Sequence, residues 1–145
     1  MKIKVKKLRE NAIMPEYKTE FSAAADLYAC VDEPVTLQPG QRAGIPLGLA
    51  IEYEDNDVVA VICARSGLAS KHGMALSNGI GVVDPDYRGE LTVAMINLSD
   101  KEYTVCPGDR VAQLMFLPIV RGVFEEAEEL GRTERGEGGF GSTGK

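Results

Sequence analysis

The sequence predicts an all-β fold, either a sandwich or a barrel of short strands, with one short helix. Short apolar or alternating runs recur along the chain, separated by Gly, Pro, Asn and Asp, which favour turns. Helical periodicity is scarce, and strand runs with turn signals at this spacing are typical of sandwiches and barrels. With 145 residues, 44% of them hydrophobic, the chain is most simply one domain with its own core.

Seven stretches carry the strand pattern. Each one is alternating or apolar and is bounded by residues that favour turns. The stretch VVAVICA is an uninterrupted apolar run, which predicts a buried strand. In chain order, the predicted strands are residues 3–5, 35–37, 45–53, 58–64, 91–97, 103–106 and 110–117.

Two segments fit a short helix, and the end of the chain fits neither helix nor strand. SGLASKH (66–72) spans two turns, and VFEEAEEL (123–130) would form a short acidic helical segment. Six of the last fifteen residues are glycine, and Phe140 is the only large apolar one. Such a segment buries too little apolar surface to offset the entropy of ordering it. We therefore predict a folded domain, 1–130, and a mobile C-terminal tail, 131–145.

Charge and cysteine content narrow the classes of function. The formal net charge of −6 argues against nucleic acid as the main partner, because that binding depends on basic charge. Cys30, Cys63 and Cys106 form no CxxC pair, which predicts reduced, mostly buried thiols rather than a zinc site. No apolar segment follows the basic N-terminus or approaches the length of a membrane span, so we expect a cytoplasmic protein.

The last eight residues, GGFGSTGK, match two phosphate-binding patterns. Residues 139–145 fit GxxxxGK, the P-loop pattern, and Gly136, Gly138 and Gly141 fit GxGxxG. Both patterns depend on a following helix whose N-terminus faces the phosphate. No residue follows Lys145 in this sequence to form one, so we predict neither fold. A glycine-rich end can instead wrap a phosphate with its backbone N–H groups.

Four other stretches interrupt the strand pattern with polar residues among small ones. Taken singly, each has an ordinary structural explanation, such as a helix cap, a turn carboxylate, a salt-bridged turn or a packing aromatic. Their order and joint presence carry more information. The four are AADL (24–27), ARSGLA (64–69), NGIGVVDPDYRGEL (78–91) and PGDRVAQL (107–114).

Two of these stretches suggest chemistry from their own residues. In ARSGLA, Arg65, Ser66 and a helix start would suit an oxyanion. The alternative is that Ser66 caps the helix and Arg65 pairs with a carboxylate. In VVDPDYRG, Asp84 follows an apolar run, and a carboxylate ionised at neutral pH can polarise a water there. The alternative is a simple turn residue beside Asp86.

Together with the tail RGEGGFGSTGK, these stretches resemble the five motifs of the trimeric dUTP pyrophosphatases (dUTPases), in order and over nearly the whole chain. The resemblance implies a distorted jelly-roll β-barrel, assembled as a homotrimer with active sites between subunits. It implies Mg²⁺-dependent hydrolysis of dUTP to dUMP and diphosphate, by in-line attack of water on the α-phosphorus. Such an enzyme limits uracil incorporation into DNA and supplies dUMP for thymidylate synthesis. Neither nucleic acid nor a membrane is an expected partner.

The resemblance also implies roles for single residues. Asp84 resembles the base that activates the attacking water. Tyr87 resembles the residue packed under the deoxyribose, which leaves no room for a 2′-hydroxyl. Asp26 resembles the carboxylate that holds the metal through water. The implied phosphate contacts from other segments of the trimer are Arg65, Ser66, Gly67 and Gln113.

Uracil would be recognised by the backbone of one hairpin, because fixed donors and acceptors can pair with the edge of the base. Cytosine presents a donor where uracil has an acceptor, and unpaired buried groups give strong discrimination. In the tail, Arg135 would reach the γ-phosphate and Phe140 would cover the uracil ring. The implied uracil contacts are Asn78, Gly81, Val82, Val83 and Thr92, and the other tail contacts are Gly141, Ser142 and Thr143.

Three positions depart from the family pattern. Ala24 stands where Gly is usual, and Ala64 where Pro is common. Pro85 forms an Asp-Pro corner that also resembles the dCTP deaminases, which share this fold, although Asp86-Tyr87 follows here rather than the Gly typical of deaminases. Two alternatives therefore accompany the dUTPase hypothesis. One is a dCTP deaminase-type enzyme, and the other is a non-catalytic trimeric nucleotide-binding protein.

Overall fold

The structure, a computed structural model, describes residues 1–139. This part is mostly β, with eleven strands and one short helix, which confirms the predicted class. The predicted tail contacts Phe140, Gly141, Ser142 and Thr143 lie outside the described residues. The strands are β1 (Lys4–Lys7), β2 (Ala25–Tyr28), β3 (Val35–Leu37), β4 (Arg42–Pro46), β5 (Leu49–Glu52), β6 (Val58–Cys63), β7 (Met74–Leu76), β8 (Gly81–Val83), β9 (Thr92–Asn97), β10 (Tyr103–Val105) and β11 (Arg110–Pro118), and the helix is α1 (Ser66–His72).

The strands of the described region form four antiparallel sheets. The largest has the order β2-β11-β6-β8, so β2 and β8 are its outer strands. A three-stranded sheet has the order β4-β9-β7, and the pairs β1-β5 and β10-β3 complete the set. One apolar core draws side chains from all four sheets, with Leu27, Leu37, Ile45 and Val93 almost fully buried. Burying each such side chain stabilises the fold by about 1.5–3 kcal/mol.

The strand β9 shows how alternation builds this core. Thr92 is exposed, whereas Val93 and Met95 are buried on the opposite face. Asn97 ends the strand fully buried, and its amide donates to the Leu37 carbonyl at 2.9 Å. Its side-chain oxygen accepts from the backbone N–H of Ser99 at 2.9 Å. Because all its polar atoms are paired, the buried amide ties two sheets together without a desolvation penalty.

The helix over 66–72 forms as predicted, and the apolar run over 45–53 is divided. The helix ends at Gly73, whose φ of 64° places it in the left-handed region that favours glycine. The run 45–53 contributes to β4 and β5, which are separated by Leu47 and Gly48. Gly48 also has a positive φ, 66°, and a Cβ there would lie 2.6 Å from the sulfur of Cys30. Only glycine fits this turn without strain.

The predicted helical segment VFEEAEEL is wrong, because residues 123–130 form neither helix nor strand. Four glutamates crowd this segment, and like charges three or four residues apart destabilise a helix. Its apolar side chains also find no surface to cover, since Phe124 is 100% exposed and Val123 97%. Short helices in water need such packing. The proposed boundary at residue 130 remains a prediction; the last described strand ends at Pro118.

The prediction of mostly buried thiols holds for one cysteine. All three cysteines are free; Cys30 is buried, Cys63 is half-buried and Cys106 is exposed. Burial raises the pKa of the Cys30 thiol, which keeps it protonated. Within residues 1–139 the structure contains no helix long and apolar enough to cross a membrane.

Candidate active site

A cleft of about 270 Å³ opens beside β8 and the turn that follows it. Its lining includes every described residue that was assigned to the base, the sugar or the attacking water. These residues come from β8, from the turn after it, from the segment before it and from β9. They are Asn78, Gly81, Val82, Val83, Asp84, Tyr87 and Thr92.

The strand β8 presents its backbone to this cleft. It pairs with β6 on one side, with Gly81 opposite Ile62 and Val83 opposite Ala60. No strand of residues 1–139 pairs with its other side. Edge strands carry unpaired N–H and C=O groups that can bind a partner. The cleft therefore has a wall of backbone donors and acceptors, as the uracil hypothesis requires.

The turn after β8 places Asp84 and Tyr87 at the same cleft. Asp84 is exposed at the end of the strand, and its carbonyl accepts the Tyr87 N–H at 3.1 Å. The Arg88 guanidinium closes the turn by donating to the Pro85 carbonyl at 2.7 Å. Tyr87 is 46% exposed, and its hydroxyl donates to the backbone oxygen of Glu90 at 3.1 Å. A carboxylate and an aromatic ring thus line one nucleoside-sized space.

Asp26 lies at the centre of a second polar cluster. Only 8% of Asp26 is exposed, and each of its carboxylate oxygens accepts from a guanidinium. Arg65 donates through Nε to Oδ1 at 3.0 Å, and Arg110 donates through Nη1 to Oδ2 at 3.0 Å. Arg65 also donates to the Arg110 carbonyl at 3.1 Å. A buried charge needs such pairing, so the cluster holds together the two strands that contain Asp26 and Arg110.

The contacts of this cluster bear on the two interpretations of ARSGLA, as an oxyanion site or as a helix cap with a paired arginine, in the chain without a ligand. Arg65 pairs with a carboxylate, as the structural alternative expected. Ser66 does not cap the helix: Arg65 occupies the capping position without a side-chain hydrogen bond, and Ser66 is the first helical residue. Ser66 and Gly67 are both exposed. They are free to contact a ligand, whereas Arg65 would have to share its guanidinium with Asp26.

Gln113 joins the same cluster from β11. It lies opposite Asp26 on one side and opposite Cys63 on the other. Its amide donates to the Ala64 carbonyl at 3.0 Å. Asp26 and Gln113 line a second cleft of about 320 Å³, together with Lys18. A hydrogen bond to Glu16 raises the pKa of Lys18, so this side chain stays cationic at neutral pH.

Asp26 and the nucleoside-sized cleft lie at opposite sides of one sheet, whereas Gln113 lies on the inner strand β11 and Arg65 follows β6. Asp26 belongs to the outer strand β2, and the nucleoside-sized cleft belongs to the other outer strand, β8. Three strand spacings separate these edges, roughly 14 Å. Arg135 lines neither cleft; it donates to the Gly138 carbonyl at 2.8 Å within the tail. A larger cleft of about 700 Å³ lies near Lys2 and holds none of the predicted site residues.

The chemistry of Asp26 fits a magnesium ion held through water. Within residues 1–139 there is no cluster of three or more Asp, Glu, His or Cys side chains able to form a protein-only site. Mg²⁺ commonly keeps several waters and binds one or two carboxylates plus substrate phosphates. An ionised carboxylate has about four acceptor positions, of which the two arginines occupy two on Asp26. A metal-bound water can therefore still donate to it.

Two residues of the site were not predicted from the sequence. Glu90 lines the cleft beside β8, and Arg110 completes the pairing of Asp26. Arg110 lies 84 residues from Asp26 along the chain, so only the register of β11 with β2 brings them together. The stretch PGDRVAQL contains Arg110, and a salt-bridged turn was an ordinary alternative explanation of such a stretch. The contact of Arg110 with Asp26 was not predicted.

Comparisons with known proteins indicate the family that the sequence motifs resemble. The family model described as dUTPase matches residues 10–144. The deoxyuridine 5′-triphosphate nucleotidohydrolase of Desulfitobacterium hafniense is 49% identical over 146 residues, covering 99% of this chain and 97% of that protein. A variant of the Staphylococcus bacteriophage 80alpha dUTPase with dUpNHpp matches with a TM-score of 0.87 and 28% identity, covering 99% of both chains. A variant of the DUTPase from phage phi11 of S. aureus, with a coordinated structural Mg(II) ion, matches with a TM-score of 0.79 and 25% identity, covering 90% of this chain and 99% of that one.

Proposed function

The chain belongs to the dUTPase family, and we propose how its residues carry out the hydrolysis of dUTP to dUMP and diphosphate. The observation that carries the proposal is the cleft beside β8. It combines a strand edge, an exposed carboxylate and an aromatic ring around a space of about 270 Å³. That volume lies below the usual range for drug-sized ligands and suits a base with its sugar. The triphosphate then extends beyond this cleft.

We assign uracil recognition to the free side of β8. The backbone of Gly81, Val82 and Val83 has a fixed position, because β6 holds the strand on its other side and the Tyr53 hydroxyl donates to the Val83 carbonyl at 3.0 Å. The backbone groups that remain unpaired can match the acceptor–donor–acceptor edge of uracil, with Asn78 and Thr92 at the margins of the cleft. Cytosine would place a donor against a donor and leave buried groups unpaired, which gives discrimination of about 10⁴ or more.

Tyr87 supports the deoxyribose. Its ring lines the cleft two residues beyond Pro85, in a turn that the Arg88 guanidinium closes. A ring packed against C2′ excludes the extra hydroxyl of a ribonucleotide by volume. This role needs a fixed ring, since a pocket rejects an added atom only if its walls do not yield.

Asp84 acts as the general base. It follows the recognition strand directly, so it lies on the side of the cleft where the α-phosphate of a bound nucleotide would emerge. Its carboxylate takes a proton from a water, which then attacks the α-phosphorus in line with the departing diphosphate. A positioned base contributes about 10²–10⁴ in rate. The rest of the acceleration must come from holding the triphosphate and compensating its charge.

The second cluster supplies the phosphate contacts. Arg65, Ser66, Gly67 and Gln113 offer a guanidinium, a hydroxyl, a backbone N–H and an amide near one another. Asp26 would hold Mg²⁺ through water. The ion, when bound, neutralises charge on the triphosphate and helps to fix its geometry. In a chain with a net charge of −6, these local positive groups are necessary.

The separation of the clusters supports a trimer with sites between subunits. Within one chain, Asp26 and the β8 cleft lie at opposite edges of a sheet, and one nucleotide would join the cleft of one chain to the Asp26 cluster of another. The segment after β11 also exposes apolar side chains, including Val120 and Phe124, which no other part of residues 1–139 covers. A second copy of the chain would bury them. We propose the distorted jelly-roll homotrimer of the family on these grounds.

The tail completes the proposed site as a mobile lid. Arg135 is exposed and would exchange its contact with Gly138 for the γ-phosphate. The residues beyond the described part keep the roles predicted for them, with Phe140 over the uracil ring and Gly141, Ser142 and Thr143 on the substrate. Closure of such a lid would expel water from the phosphates and strengthen each electrostatic contact there.

Turnover of each deoxynucleoside triphosphate, with and without Mg²⁺, tests this function. We expect diphosphate from dUTP, far less from dCTP and dTTP, and a large loss of rate in EDTA. Diphosphate and ammonia are assayed in the same reactions, because a dCTP deaminase would release ammonia from dCTP. Ammonia from dCTP, or no turnover of dUTP with Mg²⁺ present, would contradict the proposal.

A further inference from the structure

We propose that Arg9 and Glu90 form a positioning pair that holds Tyr87 in place and thereby sets how strictly the enzyme rejects ribonucleotides. The inference rests on the proposed role of Tyr87 under the deoxyribose. Arg9 belongs to the segment after β1, far from the motifs in the sequence. Glu90 lines the nucleoside cleft without a role assigned to it so far.

Two groups converge at the Glu90 carboxylate. Oε1 accepts the backbone N–H of Gly48 at 3.0 Å and lies 3.5 Å from Nε of Arg9. The same guanidinium donates through Nη1 to the Cys30 carbonyl at 3.1 Å, so it is fixed at two points. The Arg9 and Glu90 side chains are 38% and 30% exposed, which makes this a partly shielded pair rather than a free surface contact.

The backbone of Glu90 in turn fixes Tyr87. The tyrosine hydroxyl donates to the Glu90 carbonyl at 3.1 Å. It also packs directly on Gly89, where a Cβ would lie 2.4 Å from the hydroxyl oxygen. Any displacement of the Glu90 backbone therefore moves the anchor of the ring. Because Tyr87 is almost half exposed, burial alone does not hold it.

Glu90 occupies the point where the exposed turn meets the sheet. The next residue, Leu91, is buried, and its N–H donates to the Leu49 carbonyl at 2.8 Å. Its carbonyl accepts the Leu47 N–H at 3.0 Å. The Leu91 N–H and the Glu90 carbonyl belong to one planar peptide, so the sheet holds this peptide at its Leu91 end and the Glu90 side chain holds the Cα at its other end. Loss of the pair leaves the acceptor of the Tyr87 hydroxyl held mainly from the Leu91 end and leaves the fold of the sheet intact.

Selectivity is the property most sensitive to such a change. Rejection of a 2′-hydroxyl requires that the ring cannot retreat, and a shift of about an ångström suffices to change a reaction rate greatly. Asp84 is anchored at the other end of the turn by β8, so turnover of dUTP should change less than discrimination. A merely structural pair would instead lower the melting temperature and leave the selectivity unchanged.

The test compares kcat/KM for dUTP with kcat/KM for UTP in the full chain with Mg²⁺. Arg9→Ala removes the guanidinium, and Glu90→Gln keeps the shape of the side chain and its acceptor for Gly48. We expect Arg9→Ala to lower the dUTP-to-UTP ratio roughly tenfold, a scale typical for one small group in a pocket. Glu90→Gln should act in the same direction, and the double variant should be no worse than Arg9→Ala, because both remove one contact.

Two reference variants make the result decisive. Lys4→Ala breaks a 2.8 Å ion pair with Glu52 on the neighbouring strand and should leave the ratio unchanged. Tyr87→Ala should relax the ratio on its own. If Tyr87→Ala does so while Arg9→Ala and Glu90→Gln match the wild type, the positioning pair is wrong and the proposed function stands. If Tyr87→Ala leaves the ratio unchanged, the sugar role of Tyr87 fails and the inference fails with it.

Discussion

At the scale of single residues, the chain places two carboxylates in opposite environments. Asp26 is buried between two guanidiniums, whereas Asp84 is exposed at the end of a strand. Removing one partner from a buried ion pair typically lowers the free energy of unfolding by about 3–5 kcal/mol. We therefore expect Asp26 to stabilise the fold in addition to any role in binding a metal. The exposed side chain of Asp84 has no such structural role. It can therefore be changed without loss of folding, which makes it the better test of chemistry.

Asp84→Asn should lower kcat for dUTP by about 10²–10⁴, because the amide keeps the shape but cannot accept the proton of the water. Binding of the analogue dUpNHpp, measured by calorimetry, should change little. Asp86→Asn is the matched control, since Asp86 is an exposed carboxylate in the same turn that does not line the cleft. A parallel loss of analogue binding in Asp84→Asn would contradict the role of general base.

Tyr53→Phe should destabilise the fold next to the site. The Tyr53 hydroxyl donates to the Val83 carbonyl at 3.0 Å and accepts the Ala60 N–H at 3.1 Å, both in buried surroundings. Its removal leaves two buried backbone groups unpaired, which costs about 1–3 kcal/mol. Urea denaturation measures the change in the free energy of unfolding. Tyr17→Phe, at an exposed tyrosine, should have no effect, and an equal loss in both variants would refute the explanation.

How far the sequence predicts single residues depends on the range of their contacts. Asp84 and Tyr87 could be assigned because both belong to one short motif. The pairing of Asp26 with Arg110 and of Arg9 with Glu90 could not, since each joins residues about 80 positions apart. Such contacts depend on strand register. An apolar pattern predicts which face of a strand is buried, but it does not predict which polar side chains come into contact. The motifs suggested the chemical roles of these residues, and the tertiary structure shows the contacts that hold their side chains in position.

At the scale of elements, two features bear most on the proposed function and fold: the free edge of β8 and the exposed segment 123–130. β8 is only three residues long and pairs on one side, which leaves its backbone available for a base. Residues 123–130 show the limit of local pattern. Their spacing suggested a helix, but a helix needs a surface to pack on, and residues 1–139 provide none. A sequence pattern cannot show whether that surface exists.

Ending the chain at Glu134 should leave a folded protein with severely reduced turnover. Residues 135–139, the part of this tail that the structure describes, add no side chain to the apolar core, so we expect the melting temperature to stay close to that of the full chain. The loss of Arg135, Phe140 and the following contacts should remove the proposed lid and thereby lower kcat/KM. A chain that ends at Gly144 is the control and should retain full activity. If the chain ending at Glu134 unfolded, the tail would belong to the fold rather than to a lid.

At the scale of the whole molecule, the four-stranded sheet separates Asp26 from the cleft beside β8. The order β2-β11-β6-β8 places Asp26 at one edge and the cleft at the other. We propose that one nucleotide bridges the cleft of one chain and the Asp26 cluster of another. A symmetric assembly in which the β8 edge of each chain meets the β2 edge of a neighbour would create such sites with a single repeated contact.

Mixed assemblies test this arrangement directly. Asp84→Asn damages the cleft, and Arg65→Gln damages the phosphate cluster, so assemblies of either variant alone should be nearly inactive. When equal amounts are unfolded and refolded together, about a quarter of the sites should combine an intact cleft from one chain with an intact cluster from another. The activity of the mixture should therefore rise well above that of both parents, towards a quarter of the wild-type rate.

The matched control mixes two variants of the same cleft, Asp84→Asn and Asn78→Ala. Both changes lie on one side of the proposed interface, so no combination of chains restores a complete cleft and the mixture should show only the average of its parents. Circular dichroism melts confirm that each parent is folded before mixing. Recovery in the first mixture and none in the second requires sites shared between subunits. No recovery in either, with every parent folded, would mean that each chain builds its site alone and that the trimer has another purpose.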